Sequence, residues 1–171
     1  AVAPKRLPSY LSEFEDVLSS YNLKCVYHAH IATGELHLRP ILNLKKEEDV
    51  ERFYNLSKDV ALLVKKHRGS LSGEHGDGRL RGEWIPLMYG ERIYGLMKEM
   101  KEVWDAENVF NRGKIIDTPK MNTSLRYEDI KPQNISTYYS FEQQKGFLCA
   151  IEQCNGSADC RKSSLLGGKM C

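Results

Sequence analysis

The 171-residue chain predicts an α+β fold, a small antiparallel sheet with helices packed on one face and a largely irregular, cysteine-bearing tail behind it. Three observations predict this. Two stretches of strand-like alternation lie next to each other at residues 25–40, long 3.6-residue periodicity flanks them, and neither pattern survives beyond about residue 117.

The first element follows Pro8. "SYLSEFEDVLSSYNL" places Leu11, Phe14, Val17 and Leu18 at helical spacing, with Ser9 as the N-cap candidate. Next come "KCVYHAHI" and "ELHLRPIL", rich in β-formers and alternating, which read as one hairpin. With Thr33-Gly34 as a two-residue turn, His30 pairs with His37 and His28 with Arg39. Side chains alternate faces along a strand. His28, His30, His37 and Arg39 therefore share one face, and Ala29, Ile31, Leu36 and Leu38 the other. "KKEEDVERFYNLSKDVALLVKKH" gives the strongest helical stripe, Val50, Phe53, Leu56, Val60, Leu63 and Val64, with Gly69 expected to stop it. A glycine-rich loop, "GSLSGEHGDGRLRG", leads into "EWIPLMYGERIYGLMKEMKEVWD", one helix broken near Gly90 or two short ones. Trp84 and Trp104 read as core there, and "ENVFNRGKII" closes the unit. The domain division that results is 1–117 for the sheet-and-helix domain, 118–137 for a polar, proline-bearing linker, and 138–171 for the cysteine tail.

Composition narrows the function classes. A formal charge of +2, without a stripe of Lys/Arg interleaved with aromatics, argues against nucleic acid as partner. No apolar run approaches the roughly 18–20 residues of a membrane span. With no secretory pattern at its start, the chain is expected to be cytoplasmic, with room for peripheral attachment to the inner membrane through a partner. Four of the five cysteines, Cys149, Cys154, Cys160 and Cys171, crowd the last 23 residues, a clustering that favours a metal or iron–sulfur centre over disulfides in a cytosolic chain. The chain opens without methionine and closes on a cysteine, as expected of a piece of something longer.

Two constellations carry chemistry. A single strand histidine usually does no more than hydrogen-bond or face solvent. Three on one face offer imidazole donors suited to Zn²⁺, Mn²⁺ or Fe²⁺, and the pair His30 and His37 would need a third ligand from elsewhere. The loop "SGEHGDG" is the natural source. Glycines at 73, 76 and 78 free the backbone to aim polar side chains, Glu74 as metal ligand and His75 as a base near neutral pH. His28 has second-sphere or structural status, His67 meets the negative end of a helix dipole, and Asp77, Arg79 and Arg81 read as surface ion pairs.

At these residues the chain resembles the C-terminal part of FAD-linked oxidases, the group of D-lactate dehydrogenase, glycolate oxidase and D-2-hydroxyglutarate dehydrogenase, and most the long members fused to an iron–sulfur domain. "HAHIATGELHLRP" is similar to the family's H-x₆-H hairpin, "SGEHGDGRLRGEW" to its E-H-G loop, and "WDAENVFNRGKI" to its closing D-P-x-x-x-N-P-G-K-I. The tail "CNGSADCRKSSLLGGKMC" resembles C-x-G-x-G-x-C-R…G-x-M-C-P.

The resemblance implies a divalent metal, Zn or Mn, on His30, His37 and Glu74, with His75 as base on the substrate hydroxyl. Arg39, where other members often have asparagine, would clamp a substrate carboxylate. Asn111 and Lys114 would lie near FAD, although Arg112 replaces the family's proline. Cys154, Cys160 and Cys171 would be three ligands of an iron–sulfur cluster whose fourth is absent. It further implies oxidation of a small-molecule D-2-hydroxy acid by hydride transfer to FAD, with electrons passing through the cluster to an unidentified acceptor. FAD would be held mainly by a missing FAD-binding domain, leaving this piece inactive alone and its bared apolar face open to homodimerisation. Without the resemblance, the same residues also suit a metal-dependent hydrolase, or a non-catalytic interaction domain whose histidines only pack.

Overall fold

The computed structural model describes residues 1–126, 128 and 135–163. They form two compact units, Ala1–Asp129 and Ile130–Cys171.

In the first unit, helix α1 (Leu7–Ser20) follows a 3₁₀ turn and packs against helix α2 (Glu47–Lys66). Their apolar stripes meet in one core of Val2, Leu7, Tyr10, Phe14, Leu18, Leu56, Leu63 and Val64. Between them in sequence lies the hairpin, β1 (Cys25–His30) and β2 (Glu35–Pro40). Cys25, Leu36 and Leu38 rest on this core, and Tyr27 meets Phe14 edge-on, their ring centres 6.2 Å apart. The helices thus cover one face of the sheet, and the alternate residues Val26, His28, His30, Glu35, His37 and Arg39 fall on the other. Glu13 ties the two helices from the side, accepting from Lys66 Nζ at 2.7 Å and lying 3.3 Å from His67 Nε2. His67 therefore does more than meet a helix dipole.

The hairpin departs from expectation in register. The connection is four residues long, a 3₁₀ turn at Ile31–Thr33 followed by Gly34 in the left-handed region (φ 74°). A two-residue turn of the usual hairpin type would ask positive φ of β-branched Thr33. Instead its hydroxyl donates to the His30 carbonyl at 3.0 Å, closing the wider turn. The pairs are consequently His30 with Glu35, His28 with His37 and Val26 with Arg39. The slip is two residues, so every side chain keeps its face, except that Ile31 leaves the sheet for the exposed turn.

Both helix ends read from the sequence also change. Helix α1 starts at Leu7, not after a Ser9 cap. Pro8 sits in its first turn, where no N–H is needed, and the Ser9 hydroxyl donates to the Arg6 carbonyl instead. Helix α2 does end beside Gly69, but Arg68 takes the left-handed conformation (φ 53°). The paired bonds Arg68 N–H to Lys65 and Gly69 N–H to Val64 close the helix. Gly69 is needed for closeness, since a Cβ there would lie 2.3 Å from the Ala1 carbonyl oxygen.

Beyond the glycine loop the chain breaks at Gly90 (φ 83°) into α3 (Ile85–Tyr89) and α4 (Glu91–Trp104), as the sequence suggests. Trp84, 6% exposed, joins Ala61 and Met121 in a second core and donates to the Ser57 hydroxyl. Trp104 does not join the core. It is 83% exposed at the end of α4, because that helix turns its Leu96–Met100–Val103 side away from the rest of the unit. Met121, 1% exposed, shows that the start of the segment read as linker packs into the first unit, anchored by its N–H on the Glu83 carboxylate at 2.7 Å.

The second unit contributes helix α5 (Phe147–Glu152) and two 3₁₀ turns. Among the described residues no helix is long and apolar enough to cross a membrane.

Candidate functional site

The outer face of the hairpin and the glycine loop build the site together. β2 delivers His37 and β1 delivers His30. As diagonal neighbours their rings still stand edge-to-face with centres 5.4 Å apart. From the loop, Glu74 Oε1 reaches His37 Nε2 at 3.2 Å and His30 Nε2 at 3.9 Å. One ligand atom from each of the three lies within 4.8 Å of the others, the group of metal-capable side chains found among the described residues. His75 approaches the same carboxylate oxygen, Nε2 at 3.1 Å, and its ring centre lies 5.7 Å from that of His37. His37 is the sheltered member at 22% exposure, whereas His75 is 71% exposed and open to whatever enters.

This donor set fits a divalent ion of the Zn²⁺ or Mn²⁺ kind. Two imidazole nitrogens and a carboxylate oxygen about 2.0–2.2 Å from a common centre stand roughly 3.4 Å apart in a tetrahedral arrangement, leaving one position open. The His37–Glu74 separation already matches, and His30 stands 3.9 Å from the same oxygen. A single carboxylate oxygen facing three imidazoles is also a donor arrangement that a cation completes.

The loop is held by residues that the sequence suggested were surface ion pairs. Arg81 donates to the Gly76 carbonyl at 2.6 Å, its Nε lies 3.7 Å from Asp77 Oδ1, and both those atoms are buried without a hydrogen bond. Burial pushes the Asp77 carboxyl above its ordinary value, and the Arg81 guanidinium pulls the other way. Arg79 reaches forward to the Thr123 carbonyl at 2.6 Å. The i, i+4 spacing of Asp77 and Arg81 was the readable signal, but it could not tell a half-buried clamp from a surface pair. Gly73 passes so close to Glu35 that a Cβ would lie 2.2 Å from its Oε1, and Gly76 (φ 72°) and Gly78 (φ 55°) adopt left-handed backbone.

Arg39 lies two residues beyond His37 on the same face, exposed, and borders with His37, His75 and Arg81 a cleft of about 590 Å³. Asn111 and Lys114 line a different, smaller cavity of about 260 Å³ together with Lys98 and Lys101. One bond connects the two regions, from Ile115 N–H to the Gly78 carbonyl at 2.8 Å. The turn carrying Asn111 is organised by Asp105, which accepts from the N–H groups of Val109 and Phe110 and pairs with Lys101. Cys154 and Cys160 are exposed and carry no disulfide in the second unit, and Cys171 lies outside the described residues.

Comparison with known proteins identifies the family. Residues 1–115 match the family described as FAD linked oxidases, C-terminal domain. The D-2-hydroxyglutarate dehydrogenase of Escherichia coli (strain K12) is 30% identical over 164 residues, 93% of this chain and 16% of that protein. The D-lactate dehydrogenase of Archaeoglobus fulgidus is 24% identical over 115 residues, 67% of this chain and 25% of its own length. The GlcD component of the glycolate oxidase of Bacillus subtilis is 21% identical over 116 residues, again 67% of this chain and 25% of the relative. The chain thus spans a quarter or less of each of these three proteins.

Proposed function

The chain belongs to the family of FAD linked oxidases, C-terminal domain, and from that premise we propose that it is the substrate-facing part of a flavin-dependent enzyme oxidising a D-2-hydroxy acid of the glutarate, lactate or glycolate type. The observation that carries this reading is the convergence of His30, His37 and Glu74 on one small volume with His75 beside it. The relatives' names supply the substrate class.

In this reading His30, His37 and Glu74 hold a divalent ion and Arg39 donates to the substrate carboxylate, as a planar guanidinium does well. His75 receives the hydroxyl proton, a role that suits an imidazole near neutral pH. When bound, the metal would acidify the hydroxyl and FAD would accept the hydride. Arg81 and Asp77 hold the loop so that Glu74 and His75 keep their places. Asn111 and Lys114 belong to the flavin side. Cys154, Cys160 and Cys171 are three thiolates of an iron–sulfur cluster completed elsewhere, which hands electrons to an acceptor. The enzyme works in the cytoplasm or at the inner face of a membrane.

Anaerobic addition of D-2-hydroxyglutarate, D-lactate or glycolate to the longer polypeptide carrying this chain tests the reading. At least one acid should bleach the flavin absorbance, and His75→Ala should slow the bleaching by about 10²–10⁴-fold. Intact flavin absorbance with all three acids would overturn it.

A further inference from the structure

Glu35 is the one carboxylate on the outer face of the hairpin, and the proposed ligand set does not use it. Across the sheet it pairs with His30, which sets the two Cβ atoms about 5 Å apart. Along β2 it stands two residues from His37 on the same face, roughly 7 Å away. The glycine loop crosses it. A Cβ on Gly73 would lie 2.2 Å from Glu35 Oε1 and 2.6 Å from its Cδ, so the carboxylate touches the backbone immediately before Glu74. Glu35 thus adjoins each residue of the converging trio: His30 across, His37 along, and the stem of Glu74 above.

Its charge has no close partner. Glu35 is half-buried, and among the described residues its carboxylate makes no hydrogen bond and no ion pair. The Ala1 ammonium feels it through space but gives its hydrogen bond to the Ser70 carbonyl. A half-buried carboxylate placed next to the stem of another is costly unless a cation lies near both. The site calls for that cation. Two neutral imidazoles and one carboxylate leave a divalent ion with one positive charge in excess, and a second carboxylate cancels it. The separations lie inside the roughly 8 Å screening length of physiological salt, so the charge on Glu35 acts on the whole trio.

We propose that Glu35 is a positioning residue of this site. Its carboxylate stays outside the ligand shell, balances the second charge of a divalent ion held by His30, His37 and Glu74, and seats the Gly73–Glu74 backbone over β2. The proposal rests on the reading of those three side chains as ion ligands. It adds that two carboxylates, not one, set the affinity, and it needs neither flavin nor substrate. One consequence is a reversal of sign. Without an ion the two carboxylates repel, and the charge on Glu35 works against the fold. With an ion bound the same charge stabilises it.

Calorimetric titration with Zn²⁺, together with thermal melts with and without the ion, tests it on two variants of the 171-residue chain. Glu35→Gln keeps the shape and the contact with Gly73 but removes the charge. Glu35→Asp keeps the charge and withdraws it by one methylene. Glu35→Gln should bind Zn²⁺ about 10–100-fold more weakly than wild type, with Glu35→Asp closer to wild type than to Glu35→Gln. Free of ion, the Glu35→Gln chain should melt no lower than wild type, and at one fixed Zn²⁺ concentration it should melt lower. A contact that only holds the fold gives the reverse order, a normal Glu35→Gln and a weakened Glu35→Asp, and that order would overturn the proposal. Equal affinities for all three proteins would overturn it too, while leaving the ligand set standing. If the wild type takes up no Zn²⁺, the ligand set falls and this role falls with it.

Discussion

His37 Nε2 and Glu74 Oε1 lie 3.2 Å apart although the whole of helix α2 separates them in sequence. The contact exists because α2 packs beneath the hairpin and its closing turn at Arg68 sends the chain back toward β2, where Gly73 passes against Glu35. Its consequences are testable.

Zn²⁺ or Mn²⁺ should stabilise the chain. An ion present at 100 times its Kd adds about 2.7 kcal/mol, or roughly 5–10 °C in melting temperature for a chain of this size. His37→Ala should lower the affinity by about 100-fold or more, since even outer partners of metal ligands cost 10–100-fold. Calorimetric titration of both proteins measures the difference, and equal affinities would remove His37 from the ligand set.

Gly76→Ala meets no neighbouring atom within 4 Å, so any cost comes from its φ of 72° alone. Left-handed backbone costs a side-chain-bearing residue about 1–2 kcal/mol, and urea unfolding should show that loss. Metal binding should weaken in parallel, because the loop relaxes by moving Glu74.

The two tryptophans should behave as opposites. Trp84→Ala empties a buried site next to Ala61 and Met121 and should cost about 3–5 kcal/mol. Trp104→Ala should stay within about 0.5 kcal/mol. Thermal melts of the two variants check both.

Acid should loosen the turn that carries Asn111. The Lys101 ammonium, with the N–H groups of Val109 and Phe110, holds the Asp105 carboxyl below its ordinary value. A depressed folded pKa gives stability that is present above the unfolded value of about 3.9 and lost as pH falls through the folded one. The melting-temperature advantage of the wild type over Asp105→Asn should therefore be full above about pH 5 and shrink steadily as the pH is lowered below about 3.9. A constant gap across that range would contradict the assignment.

Much of the site was legible in the sequence. Alternation along residues 25–40 set His30, His37 and Arg39 on one face, and that conclusion outlived an incorrect register because the slip was an even number of residues. The turn that set the register was not legible. It depends on Gly34 alone taking a left-handed conformation against Val2, a contact with a distant part of the chain. Trp104 shows the same limit. Its helical spacing marked an apolar face but not whether anything covers it.

Residue type and spacing alone determined the chemical capacity of this protein, imidazoles on one strand face and a carboxylate in a glycine-freed loop, because side-chain direction in a strand is a local property with period two. Tertiary structure decided that Glu74 reaches those imidazoles and that Arg81 and Asp77 lock its loop. Those depend on how α2 packs and where it stops, which many weak contacts settle together and no single stretch of sequence encodes.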